Sequence, residues 1–286
     1  MSRSLGVALV QHHSTTLSEF EEHLRRSSAS HPEMQLWVYP ELHLDTPGDA
    51  PDVEQLATPL GDERFARLGA LAAELGIWLV PGTFYERGES GRVHNTAVVF
   101  GPDGAVRATY RKIFPWRPAE VCAPGGTFTV FDLPGYGRVG ISICYDIWFP
   151  EHVRHLAWAG ADLILNLVQT NTSDRDQELA IVRGNAIMNQ VWVASVNAAA
   201  PTGRGRSLLV DPDGAIRMSS STAEQEILTS VVDFAQVDAV RKFGTGGVSR
   251  PWAQFRADDA PIDLPLYGGS ISPKSWTPRE PEGANA

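Results

Sequence analysis

Cysteine is scarce in this 286-residue chain: Cys122 and Cys144 are the only two, too few for a disulfide framework. No group of Cys and His has the spacing of a zinc site, so no metal is expected. Long apolar runs are also missing. No stretch reaches the roughly 20 residues that cross a bilayer, and "MSRSLGVALVQHHS" has too short an apolar core, and no small-residue cleavage site, for a signal peptide. A cytoplasmic protein with no membrane partner is the expectation. Basic charge is in deficit: 24 Lys and Arg against 34 Asp and Glu give a net charge of −10, which argues against nucleic acid as a partner. There is no internal repeat, and the glycine-bearing "TGGVSR" and "TGRGRS" lack the spacing and flanks of a phosphate loop. What remains is ordinary globular composition, 43% hydrophobic and 20% charged, at a length one large core can accommodate.

Short β-like runs alternate with amphipathic helical ones. "LGVALVQ" reads as a strand, and the following "TLSEFEEHLRR" offers Thr16 and Glu19 as a capping box with Leu17, Phe20 and Leu24 at helical spacing. "QLWVYP" is a second strand, and "DERFARLGALAAELG" a helix with Phe65, Leu68, Leu71 and Leu75 on one face and Gly76 as its stop. "IWLVPGTF", "VHNTAVVF" and "AVRATYRK" follow as strands, the last two joined by the turn "GPDG". "TFTVFDL", "RVGISIC", "ADLILNLVQ", "VWVASVNA", "RSLLV", "AIRMS" and "EILTSVVDF" complete the strands, with "PEHVRHLAWAG" and "DQELAIVRGNAIMNQ" as helices among them. That is too many strands for a TIM barrel and too many helices for an all-β sandwich, so two facing sheets with helices outside are predicted. Residues 1–248 form the expected domain. Residues 249–286 are rich in Pro, Gly and Asp and carry Trp252, Phe255, Tyr267 and Trp276, which reads as an extended tail packing on the body or on a second subunit of a homodimer.

In "GISICYDIWFPE" an apolar run ends in Cys144 and turns directly toward a helix. A lone cysteine there is most simply a buried hydrophobe, but the position also suits a nucleophile beside exposed backbone N–H groups. Two other apolar runs end in ionisable residues, Glu41 in "LWVYPELHL" and Lys112 in "VRATYRKIF". Each taken singly reads as a solvated loop residue; together they supply a nucleophile, a base and a cation, the minimum set for acyl transfer. The eight histidines fall on different segments and are not expected to cluster. Asp146 and Glu151 read as braces of the turn and of the helix that opens at Pro150. Cys122 reads as a buried thiol, and His43 as at most a pocket wall. The polar loop "QTNTSDRD" after a strand offers Gln169, Asn171 and Arg175 as readers of a substrate's distal group.

These blocks resemble the nitrilase superfamily of carbon-nitrogen hydrolases: "YPEL", "TYRKIFPW" and "ICYDIWFPE" stand in that family's order, with supporting matches in "VHNTAVVFGPDG", "AIMNQVWVASVN" and "GRGRSLLVDPDG". The resemblance spans about residues 5–233 and implies an α/β fold, a four-layer α-β-β-α sandwich with two facing mixed sheets. It further implies cofactor-free hydrolysis of a non-peptide C–N bond, with Cys144 as nucleophile, Glu41 as base and Lys112 as oxyanion stabiliser, assisted by the N–H of Tyr145. "WRPAEVCAPGG" places Glu120 where relatives of the aliphatic amidase and formamidase branch have a second, substrate-positioning glutamate, and Trp116 and Trp148 are pocket candidates by the same likeness. The implied substrate is a small carboxamide, with a carbamoyl compound as the alternative. True nitrilases usually read Cys-Trp-Glu where this chain has Cys-Tyr-Asp. Arg183 is kept from an arginine-rich helix motif, but Asn185 replaces its second arginine.

Overall fold

The computed structural model describes residues 3–45, 52–272 and 278. In chain order the elements are β1 (Ser4–Gln11), α1 (Leu17–Ser30), β2 (Leu36–Val38), α2 (Val53–Leu56), α3 (Glu63–Leu75), β3 (Trp78–Val80), β4 (Thr83–Arg87), β5 (Val93–Phe100), β6 (Val106–Arg111), β7 (Val130–Leu133) and β8 (Gly137–Ile143). A 3₁₀ turn, Cys144–Trp148, leads into α4 (Pro150–Trp158), β9 (Leu163–Val168), α5 (Arg175–Asn189), β10 (Trp192–Asn197), β11 (Leu208–Val210), β12 (Ile216–Ser219), β13 (Glu226–Asp233) and α6 (Phe234–Phe243), and a hairpin of β14 (Ile262–Leu264) and β15 (Gly269–Ile271) ends the series.

Two sheets result. One runs β13-β1-β2-β3-β5-β4 with β6 on β5, the other β12-β11-β10-β9-β8-β7. Both are mixed: β1-β2-β3 and β8-β9-β10 are parallel, and their outer neighbours are antiparallel. Parallel strands have both faces covered, so each of their residues must belong to a core, and the period of two decides which. In β1, Leu5, Val7 and Leu9 enter the layer between the sheets, whereas Ala8 and Val10 face Phe20, Leu24, Phe65 and Leu68 of α1 and α3. In β9 and β10, Leu163, Leu165, Trp192 and Val196 enter the same central layer, while Ile164 and Val193 face Val153, Leu156 and Val182 of α4 and α5. Three stacked cores thus make four layers, helix-sheet-sheet-helix, the predicted sandwich.

Local signals hold at α1, where Thr16 and Glu19 form the capping box, and at α3, where Gly76 closes the helix at φ 64. "IWLVPGTF" is two strands rather than one. The chain breaks at Pro81-Gly82, where Gly82 adopts φ 100 and a Cβ would sit 2.1 Å from the Pro40 carbonyl oxygen. Only glycine lets the second sheet-edge segment pass so close beneath the Glu41 turn. The tail folds partly onto its own body: Trp252 is buried and donates from its indole to the Asn189 carbonyl at 3.0 Å. Leu266 and Tyr267 stay 84% and 57% exposed, and Trp276 lies outside the described residues.

Candidate active site

The parallel strands of both sheets end on one side of the sandwich, and β6 runs the same way, being two antiparallel steps from β3. Ligands of open α/β sheets bind at this carboxyl edge. Glu41 follows β2, Lys112 follows β6, Cys144 follows β8, and Gln169 and Thr170 follow β9. The structure brings four of the sequence-predicted residues into one electrostatic unit. Lys112 Nζ donates to Glu41 Oε1 at 3.0 Å and to Glu120 Oε1 at 2.5 Å, with Lys112 and Glu41 only 1% and 3% exposed.

Each member is held from behind. Glu41 Oε1 also accepts from Asn95 Nδ2 at 2.7 Å, and its Oε2 from the Gln169 N–H at 3.1 Å. The backbone of Lys112 donates to the Asn95 carbonyl at 2.8 Å and accepts from the Gly125 N–H at 2.7 Å. Glu120 Oε2 accepts the Trp116 N–H at 3.1 Å. Asp146, fully buried, accepts from Tyr110 Oη at 2.7 Å and from the N–H groups of Phe114 and Ile143 at 2.9 Å each, so it ties the end of β6 to the turn that starts at Cys144.

Cys144 itself sits at φ 45, and Leu42, next to Glu41, at φ 50. Non-glycine residues rarely adopt left-handed backbone, and when the surrounding packing holds them there the site is commonly functional. The N–H of Tyr145 lies in the first turn of the 3₁₀ segment, where no carbonyl of that segment can accept it. Cys144 Sγ lies 3.7 Å from Thr170 Oγ1. Phe114 stacks on Phe149 at 3.8 Å between ring centroids, and Tyr145 lies 5.5 Å from Phe149 and 6.0 Å from Trp148, an aromatic wall beside the thiol.

Burial pushes the Cys144 thiol well above its ordinary value. The Glu41, Glu178 and Glu120 charges add to that, and Lys112 opposes it. Burial taken alone would lower the Lys112 ammonium, but Glu41, Cys144 and Glu120 hold it well above its usual range. Burial, then the Glu41 charge, raises the Glu120 carboxyl, against the pull of Lys112. The resting arrangement is therefore a neutral thiol beside a fixed cation shared by two acids. Cys122 is a different thiol: buried and beside Glu120, it is pushed up to about 12.

Other predicted residues lie elsewhere. Arg175 does not open onto this cleft. It is 1% exposed, pairs with Glu178 at 2.8 Å and donates to the carbonyls of Gly205 and Arg206. Asn171 is exposed on its loop, and Trp116 projects at the rim. Gln169 supports Glu41 rather than facing outward, its N–H donating to Oε2 at 3.1 Å and its Nε2 to the Glu41 carbonyl at 3.4 Å. Contrary to the expectation for the histidines, four of them cluster: His12 lies 4.7 Å from His13, 4.6 Å from His23 and 5.4 Å from His43 between ring centroids. The end of β1, the half-buried His23 of α1 and the loop after β2 meet there, a convergence that sequence separation hides. Asn95, Thr170 and Asn197 also escaped notice, although Asn95 and Asn197 stand inside blocks that carried the family likeness.

Residues 6–242 match the carbon-nitrogen hydrolase family. Omega-amidase NIT2 of Homo sapiens is 31% identical over 215 residues, covering 69% of this chain and 76% of that protein. Among solved structures, Nit3 of Saccharomyces cerevisiae, a member of branch 10 of the nitrilase superfamily, superposes with a TM-score of 0.76 at 26% identity, covering 84% of this chain and 93% of that one. A glutamate-to-glutamine mutant of the amidase from Nesterenkonia sp. AN1, showing covalent addition of the acetamide moiety of fluoroacetamide at its active site cysteine, superposes with a TM-score of 0.68 at 25% identity, covering 82% and 92%. The chain belongs to the carbon-nitrogen hydrolases of the nitrilase superfamily and is an enzyme of that class.

Proposed function

We propose that the enzyme hydrolyses a small carboxamide to a carboxylate and ammonia through a thioester on Cys144. The observation that carries this reading is the meeting of Glu41, Lys112 and Glu120 through 3.0 and 2.5 Å contacts at one strand edge, within electrostatic reach of the Cys144 thiol. The amidase names of its relatives support the substrate class.

The thiol is neutral at rest, so attack requires a base. Glu41 takes the Cys144 proton as sulfur bonds to the carbonyl carbon, and the carbonyl oxygen gains charge between Lys112 Nζ and the Tyr145 N–H. Loss of one such donor typically costs about 3 kcal/mol in the barrier. Glu41 then returns the proton to the nitrogen, the C–N bond breaks and ammonia leaves. Water gives a proton to Glu41 as it attacks the thioester, and that proton restores the thiol. Glu120 orients the substrate NH₂ and shares Lys112, and the aromatic wall excludes water from the acyl group.

A panel of small amides, carbamoyl amino acids and nitriles, assayed for ammonia and carbon dioxide, tests this. Ammonia without carbon dioxide from an amide is expected; carbon dioxide together with ammonia would select carbamoyl hydrolysis instead. We further propose a cytoplasmic homodimer, since both thiols are free and would stay reduced there. A cleft of about 440 Å³ lined by Pro150, Trp158, Met188, Trp252, Leu264 and Tyr267 supports the second subunit. Light scattering that gives a monomer at micromolar concentration would contradict it.

A further inference from the structure

We propose that Thr170 is a further catalytic side chain, whose hydroxyl donates a hydrogen bond to the Cys144 sulfur as negative charge forms on it. This role rests on the thioester reading above.

The contact is 3.7 Å from Oγ1 to Sγ, and it is the one hydrogen bond of the sulfur among the described residues. The other donors nearby are committed. Of the three N–H bonds of Lys112, one goes to Glu41 and one to Glu120, which leaves one for the substrate oxygen. The Tyr145 N–H serves the same oxygen. When Glu41 removes the thiol proton, the hydroxyl of Thr170 is the donor left to face the sulfur.

The hydroxyl is also placed by a rigid frame. The Thr170 N–H donates to Asn197 Oδ1 at 2.9 Å, and its carbonyl accepts from Asn197 Nδ2 at 3.1 Å and from the Arg204 N–H at 2.9 Å. Asn197 is fully buried at the end of β10, with Nδ2 also on the Gly205 carbonyl at 2.9 Å. The side-chain amide thus clamps the Thr170 backbone on both its polar groups, and a β-branched side chain has few rotamers left to choose from. Adjacent residues of one strand end divide the work: the Gln169 N–H addresses the base, and the Thr170 hydroxyl addresses the nucleophile.

A hydroxyl turns its proton to suit its partner. At rest the thiol can donate to Oγ1. As the proton moves to Glu41, Oγ1–H turns to the sulfur, and the bond weakens again once the sulfur is an uncharged thioester. The interaction is strongest while charge is on the sulfur, which is where it accelerates reaction.

Thr170→Val removes the hydroxyl at nearly constant shape, and Thr170→Ser keeps it. Thr170→Val is expected to shift the pH dependence of iodoacetamide alkylation at Cys144 upward by about one unit, slowing alkylation about tenfold at neutral pH. It should lower kcat to a similar extent, with KM within about twofold of wild type. Thr170→Ser should recover the alkylation profile. An unchanged alkylation profile in Thr170→Val, or equal losses in Val and Ser variants that track a fall in Tm, would overturn the role. Cys144→Ala is run alongside: turnover surviving in that variant would defeat the thioester reading itself, whatever Thr170 does.

Discussion

Two neighbourhoods flank Glu41, and they bury titratable groups in opposite ways. On one side, Lys112 lies as a cation between two acids, Glu41 and Glu120. On the other, His12, His13, His23 and His43 pack ring on ring with Tyr39 and Phe20 around them. Among the described residues His43 Nδ1 has no hydrogen-bond partner, and burial holds His43 well below its ordinary value and His12 down at about 4. Charge is tolerated inside a protein when it is paired, and titratable groups are tolerated unpaired when they stay neutral. The paired side can hold a proton acceptor ready for chemistry. The neutral side can only support, and it does so as long as the pH keeps it uncharged.

The comparison breaks most sharply at Cys144. Cys144→Ala is expected to abolish hydrolysis with an unchanged melting temperature, because the paired cluster does not need the sulfur to fold; appreciable residual turnover would remove Cys144 from the mechanism. Lys112→Met should also be inactive, and it should cost about 3–5 kcal/mol of stability in urea titration, because two carboxylates lose the cation between them. The cost should shrink at lower pH, where Glu120, already raised by burial and by Glu41, takes up a proton. A stability equal to wild type at pH 8 would mean that the cluster is not held by its central charge.

Glu120→Gln sharpens the division within the paired side. It keeps Glu41 on Lys112 and should leave the fold and a reactive thiol in place, while turnover falls about a hundredfold through misoriented substrate. A clear fall in Tm with normal activity per folded molecule would assign Glu120 to structure alone. The smallest effect is expected on the histidine side. Unfolded histidines take up protons below about 6.5, whereas His12 in the folded chain does not until about 4. Stability is therefore full above that range and falls as pH drops through it, by up to about 1.4 kcal/mol per pH unit for each ring that stays neutral. His43→Phe should flatten this acid limb and leave the stability at pH 8 near that of wild type; an acid limb as steep as before would show that the cluster does not titrate as a buried group.

What the sequence revealed follows the same line. Glu41 and Cys144 were legible because each follows a run that both sheet faces bury, whereas Lys112 follows β6, a largely exposed edge strand, and is marked by the family likeness instead. Thr170 and Asn197 were not legible, since a threonine or asparagine at a strand end looks the same whether it closes a turn or clamps a catalytic loop. The histidine cluster was hidden because its rings come from three segments joined only by the sheet. Gly82 concealed the break between β3 and β4, as "VPGTF" continues the apolar pattern across a turn whose need lies in the approach of Pro40. Arg175 was misplaced by position alone: the loop reaches the active edge, but the first residue of α5 turns into the body and meets Glu178.

The central claim is a covalent acyl group on Cys144, and rapid quenching of the enzyme with a small amide, followed by intact mass and peptide mapping, tests it most directly. The expected result is an added acyl mass on the peptide carrying Cys144, absent from Cys144→Ala, with Cys122 unmodified. An acyl group on Cys122, or ammonia release with no adduct under any quench time, would contradict it.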